Sequence, residues 1–214
     1  MPSEPQIPAE PLCLVFGDED FLVRDRAKQI YEGWCAAAGG MDHEVVDGTV
    51  RNADEALQAL AKLNEALQTL PFFGGNKVVW LRGANFFGDD RTASSAAVTD
   101  RLTELAKSWE SLDWQGVQLL ISAGKVDKRK SFLKTVKKFA ALEDKTVSEK
   151  ERGGRAAMVV RQRLDELGKK ISPHVADELI LLAGANLQQL HTEADKLAAY
   201  VGECEEVTRQ DVHE

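Results

Sequence analysis

"LCLVFGDEDF" (residues 12–21) is the stretch on which the reading of this chain turns. Leu12 to Phe16 are apolar without interruption, and a run with no polar alternation suits a strand buried on both faces of a parallel sheet. Gly17 ends the run. Asp18, Glu19 and Asp20 then head a helical segment over 20–38, where Phe21, Leu22, Ile30, Tyr31 and Trp34 are available to cover a sheet. The end of the first strand is where nucleotide phosphates usually sit in such folds. A phosphate loop there offers several glycines, free amides and a lysine. "GDED" offers one glycine and three carboxylates, which satisfy the positive helix end themselves and repel a triphosphate. The expectation is acidic capping and no ATP at this loop.

The same alternation continues outward. "HEVVD" (43–47) reads as a second strand, and Asn52 with Glu55 starts a second helix in the manner of a capping box. "KVVWL" (77–81) is a third strand, and Leu102, Leu105, Trp109 and Leu112 predict a helix from about 94 to 111. "VQLLISA" (117–123) is a fourth strand, followed by a basic helix over about 129–140 and a weaker strand over 141–147. This is an α/β pattern, a parallel sheet flanked by helices. At Ser148 the pattern changes. Ser148 and Glu151 have capping-box spacing, and Val160, Leu164, Leu167 and Ile171 form one apolar stripe. Ser172-Pro173 opens the next helix, which ends at Gly184, while Asn186 and Thr208 cap two more. The expected organisation is a disordered tail over 1–11, an α/β domain over 12–147 and a small all-helical domain over 148–214.

Composition narrows the class. An apolar fraction of 43% and a charged fraction of 29% are those of a globular protein. The net charge of −8 argues against an autonomous nucleic-acid binder. Cys13, Cys35 and Cys204 are an odd set without metal-type spacing, as expected of a reducing cytoplasm. Histidines at 43, 174, 191 and 213 are scattered, so neither a metal nor a cofactor is expected. An enzymatic alternative remains. Asp18-Glu19-Asp20 places a D-x-D just past a strand, similar to haloacid-dehalogenase-like phosphatases. In such a site Asp18 would be the nucleophile and Asp20 the acid/base beside Mg²⁺, with Ser122 and Lys125 in support. Against it, Gly17 interrupts the junction, Phe21 is bulky, and Asp89-Asp90 follow a loop rather than a strand.

"QTLPFF" (68–73) allows two readings. Paired aromatics beside a strand usually belong to the core. Yet Pro71 stiffens the approach and Gly74-Gly75 let the chain turn back, so the segment also suits a small apolar plug for a pocket on another protein. A second pair, Phe86-Phe87, either flanks such a site or covers the sheet. "KVDKRKSFLKTVKK" (125–138) has seven positive charges against Asp127. It reads as a solvated helix face, or as a contact to DNA phosphates or a neighbouring subunit through Lys128, Arg129 and Lys130.

Four stretches together resemble one family. "LVFGDEDFLVRD" (14–25), "LQTLPFFGGNKVVWLRGA" (67–84), "LLISAGKVDKRKSFLKTVKK" (119–138) and "LGKKISPHVADELILLAGANLQQLHTEADKLAAYVGECEEVTRQDV" (167–212) are similar in order and spacing to the delta subunit of the bacterial DNA polymerase III sliding-clamp loader. The resemblance implies an AAA+-like first domain that has lost its nucleotide loop, and a helical lid. It implies a non-catalytic role in replication: gripping the beta sliding clamp and helping to open the ring for loading onto primed DNA. The ATPase subunits and delta-prime are the implied partners. Leu70, Phe72 and Phe73 fall on the family's clamp-binding anchors and Gln68 near its polar lead, which favours the plug. Phe72 stands where leucine is common. Family members carry a third, collar domain, so the chain is expected to be the first two domains of three.

Overall fold

A computed structural model describes all residues except 1–5, 40 and 70–74. The described residues gather in two compact units, one closing at Thr146 and the other running Val147–Glu214.

The first unit alternates strands and helices: β1 (Leu12–Phe16), α1 (Asp20–Ala38), β2 (Glu44–Asp47), α2 (Ala53–Gln68), β3 (Lys77–Ala84), α3 (Ala96–Glu110), β4 (Val117–Ala123), α4 (Ser131–Val136) and β5 (Ala141–Asp144). The five strands form one parallel sheet in the order β2-β3-β4-β1-β5. Side chains alternate across it, which explains the unbroken apolar run of β1. Leu12, Leu14 and Phe16 enter the core beneath α2, α3 and α4, while Cys13 and Val15 enter the core beneath α1. α1 covers its face with Val23, Ala27, Ile30 and Trp34, a single stripe at helical spacing.

Residues 6–11 were expected to be loose, and the structure corrects this. The backbone oxygens of Gln6 and Pro8 accept hydrogen bonds from Arg26 (2.7 Å) and the Trp34 indole (3.0 Å). Pro11 O accepts from Leu119 N at 2.7 Å, and Ile7 packs against the α1 core. One helix alone leaves that face of the sheet thinly covered, and the tail adds apolar cover.

Local chemistry adjusts other boundaries. Asn52 Oδ1 accepts from Glu55 N at 2.9 Å, but the Glu55 carboxylate reaches back to Arg51 N rather than to Asn52 N. The basic helix expected over 129–140 is only six residues long, because Phe132, Leu133 and Val136 complete its buried face and the chain must then enter β5. β3 runs three residues past its expected end through an irregularity between Leu81 and Ala84. Gly83 supplies the positive φ of 68° there. The buried Ser122 hydroxyl holds the distortion, accepting from Gly83 N and from Trp80 Nε1, each at 3.0 Å.

The second unit comprises α5 (Glu149–Glu166), β6 (Lys170–Ile171), α6 (Pro173–Ala183), α7 (Leu187–Tyr200), β7 (Glu206–Val207) and α8 (Arg209–His213). The expected caps form: Ser148 N donates to Glu151 (3.1 Å), Ser172 Oγ accepts from Val175 N (3.4 Å), and Asn186 Oδ1 accepts from Gln189 N (2.9 Å). Val160, Leu164, Leu179, Leu190 and Ala194 fill the core. The unit is not purely helical, since β6 and β7 form a two-stranded parallel ladder. The stripe therefore ends at Leu164: Leu167 is exposed and Ile171 belongs to β6.

A charged network ties α1 to β5. Arg26 Nε donates to both oxygens of Glu143 (3.0 and 2.8 Å), and Lys145 pairs with the same carboxylate at 2.9 Å. Burial would raise the Glu143 carboxyl, but the Arg26 and Lys145 hydrogen bonds outweigh it and hold the group below its ordinary value. A depressed folded value means stability that is present above the unfolded carboxyl range and lost as pH falls through the folded one. Glu143→Gln should therefore cost about 2 kcal/mol near neutral pH, and the gap to the parent should close toward acid in urea unfolding repeated across the carboxylate range. Ser122→Ala leaves the buried Trp80 indole N–H and the Gly83 amide unanswered and should likewise lose about 2 kcal/mol in the same titration. Unchanged midpoints in either variant would contradict these assignments.

Candidate functional site

The corner after β1 is closed by backbone. Phe16 O accepts from Lys145 N at 2.6 Å, and Gly17 N donates to Gly124 O at 3.3 Å. A Cβ on Gly17 would lie 2.5 Å from Lys145 C and 2.8 Å from Thr146 N. The chain leaving β5 thus runs across the space a phosphate loop would need, and glycine is the residue that permits the approach. Asp18 and Asp20 are exposed, Glu19 is the N-cap residue of α1, and Asp20 pairs with Arg24 at 3.3 Å. The phosphatase alternative requires further carboxylates at this corner. Among the described residues no three His, Cys, Asp or Glu side chains gather as metal ligands. Ser122 is spent on Trp80 and Gly83, and Lys125 pairs with Asp89 at 3.5 Å.

The basic residues expected to meet DNA or a neighbouring subunit have partners inside the fold. Lys128 Nζ bonds Asp144 and lies 5.7 Å from the Phe16 ring centroid. Arg129 makes a two-pronged pair with Asp127, both bonds at 2.9 Å, and Arg129 holds the Asp127 carboxyl far below its ordinary value. Lys130 Nζ donates to Ala93 O, and burial pushes its own pKa down. Any contact of these three with a phosphate would compete with those bonds. Lys125, Lys128, Lys134, Lys137 and Lys138 are all exposed, and Lys125 and Lys138 pair with Asp89 and Glu110.

The second aromatic pair is core. Phe86 and Phe87 are buried, stacked with ring centroids 5.0 Å apart, and Phe87 meets Phe132 at 5.0 Å. Asn85 fixes the loop by trading both side-chain bonds with the backbone of Val50 (2.9 and 3.1 Å).

Of the expected clamp-binding residues, Gln68 is the exposed last residue of α2, whereas Leu70, Phe72 and Phe73 lie outside the described residues. The residues on either side of that segment, Thr69 and Lys77, are fixed by hydrogen bonds. Thr69 caps α2, with its N–H and hydroxyl both donating to Glu65 O at 3.0 and 2.9 Å. Lys77 begins β3 with its side chain only 3% exposed. Its ammonium donates to Glu44 Oε1 and, at 3.3 Å, to Thr69 O. One buried lysine therefore ties the start of β3 to the end of α2 and the head of β2. The sequence reading took Lys77 merely as the first residue of a strand. Its signal was a lysine heading an otherwise apolar run, with Glu44 heading the neighbouring one.

The comparisons bear on this arrangement. The chain matches the family described as DNA polymerase III, delta subunit, over residues 14–146. It is 23% identical over 204 residues to the DNA polymerase III subunit delta of Bacillus subtilis (strain 168), covering 94% of this chain and 55% of that one. The solved Bacillus subtilis DNA clamp loader delta protein (YqeN) superposes with a TM-score of 0.63 at 21% identity, over 95% of this chain and 57% of that chain. The chain thus spans a little over half the length of these relatives. With the parallel α/β fold in place and the family match covering most of the first unit, the chain belongs to the DNA polymerase III delta subunit family.

Proposed function

We propose that this chain is the part of a clamp-loader delta subunit that binds the beta sliding clamp and helps to open the ring for loading onto primed DNA. Gln68, Leu70, Phe72 and Phe73 make the contact. The observation that carries this reading is the frame around them: Lys77 ties the end of α2 to the start of β3, on the two sides of an apolar segment. A short segment held at both ends loses little freedom on binding. In the full-length protein the partners are the ATPase subunits and delta-prime, with primed DNA reached through the complex.

The subunit is non-catalytic and leaves ATP to its partners. Support comes from the corner at Gly17, where backbone fills the phosphate position and three carboxylates follow. Calorimetry of the chain with ATP at micromolar concentration should give no saturable heat. Binding that disappears in Asp18→Asn would overturn this part of the reading.

The clamp contact has its own test. Burying one phenylalanine is worth roughly 1.5–3 kcal/mol, and aromatic anchors commonly cost 2 kcal/mol or more when truncated. Phe72→Ala/Phe73→Ala should therefore weaken clamp binding by about 3–5 kcal/mol, roughly a hundred- to several-thousand-fold, with a near-parental melting temperature. A folded double variant that binds the clamp as the parent does would sink the assignment. A variant that melts far below the parent would return the pair to the core.

A further inference from the structure

A groove along the open edge of the sheet shares Glu44 and Thr69 with the Lys77 frame but lies on the outer side of β2 and α2. β2 is the outermost strand on its side. Gly48 N donates to Arg82 O at 2.7 Å. By the alternation of a parallel ladder, Glu44, Val46 and Gly48 then face β3, while the backbone groups of Val45 and Asp47 point away from the sheet. Beside this edge lies a groove of about 570 Å³ whose other wall is α2. Its floor is small and apolar, formed by Val46, Ala59 and Ala66, and the two alanines keep the helix wall low.

The charges select the occupant. Glu44, Asp47, Glu55 and Glu65 line the groove against a single lysine, Lys62. Glu44 is tied to Lys77 and Glu55 to Arg51, and Asp47 accepts from Thr49 N at 2.9 Å with Arg82 opposite it on β3, whereas Glu65 is in no salt bridge among the described residues. Open strand edges invite pairing, and flanking charge decides which strands are admitted. A second copy of β2 would bring Glu44 and Asp47 against the same carboxylates and be repelled, whereas a strand carrying lysine or arginine is attracted. We propose that the β2 edge and the α2 groove form a docking site for an extended basic segment of a partner protein. The segment adds as a strand beside Val45 and Asp47 and lays alternate small apolar side chains on the alanine floor.

The probe is a fluorescein-labelled hexapeptide alternating lysine and valine, with glutamate replacing lysine in the control, titrated against the 214-residue chain by fluorescence anisotropy. The basic peptide should bind at least about tenfold more tightly than the acidic one and weaken as salt is raised. It should slow hydrogen exchange at the Val45 and Asp47 amides. Val45→Pro removes an outward N–H that no ladder bond uses, and Glu65→Lys reverses an exposed charge. Each should lower affinity by about fivefold or more with melting unchanged. Should Val45→Pro fail to fold, Glu65→Lys carries the test. Equal binding of the two peptides, parental affinity in a folded variant, or protection of the same amides by self-association without peptide would overturn the proposal.

Discussion

The approach of the Lys145–Thr146 backbone to Gly17 is the constraint on which the first unit is built. At that point β1 hands over to α1, β5 leaves the sheet, and Gly124 at the end of β4 accepts the Gly17 amide. Three chain segments converge where there is no room for one Cβ. The result is a rigid corner rather than a loop able to wrap a ligand. Such a corner also fixes the start of α1, and with it the position of Arg26, which must meet Glu143 on the neighbouring strand. Backbone geometry and the charged network therefore support each other: moving α1 would cost both the close packing and the half-buried pair.

The two faces of the sheet solve the problem of burial differently. Beneath α2, α3 and α4 the core is broad and aromatic, with Phe86, Phe87, Trp109 and Phe132 in mutual contact. Beneath α1 the cover is one stripe, completed by Ile7 and by the Tyr31–Trp80 contact at 5.0 Å. That asymmetry explains why a proline-rich stretch with no helical or strand pattern is nevertheless held against the fold. Its prolines cannot donate backbone hydrogen bonds, yet its carbonyls can accept them, and those of Gln6, Pro8 and Pro11 do.

Much of this was legible because the signals are local. The apolar run of Leu12–Phe16, the caps at Ser172 and Asn186 and the acidic "GDED" each state their own conformation. What escaped depends on partners distant in the chain. Phe86-Phe87 and Phe72-Phe73 look alike as dipeptides, and only the meeting of Phe87 with Phe132 marks the former as core. The two-residue strands β6 and β7 have no pattern long enough to read, since each exists through its pairing with the other. The basic run 125–138 suggested a long solvated helix because Asp144 and the Ala93 carbonyl, which take up Lys128 and Lys130, lie outside it in the chain.

This use of cations as internal fasteners recurs. Lys77 holds Thr69 O, Lys130 holds Ala93 O, and Lys169 holds the carbonyls of Gly202 and Cys204. A lysine is well suited to the task, because its long stem packs among apolar neighbours while the ammonium supplies several donors to carbonyls that lie outside any regular ladder. A carbonyl leaves the ammonium's charge in place, but the chain as a whole carries −8. Attraction to a polyanion needs exposed, uncommitted positive charge. On the proposed reading the chain's work is done by shape and apolar contact with another protein, and the lysines serve it by fixing the loops from which such contacts are made.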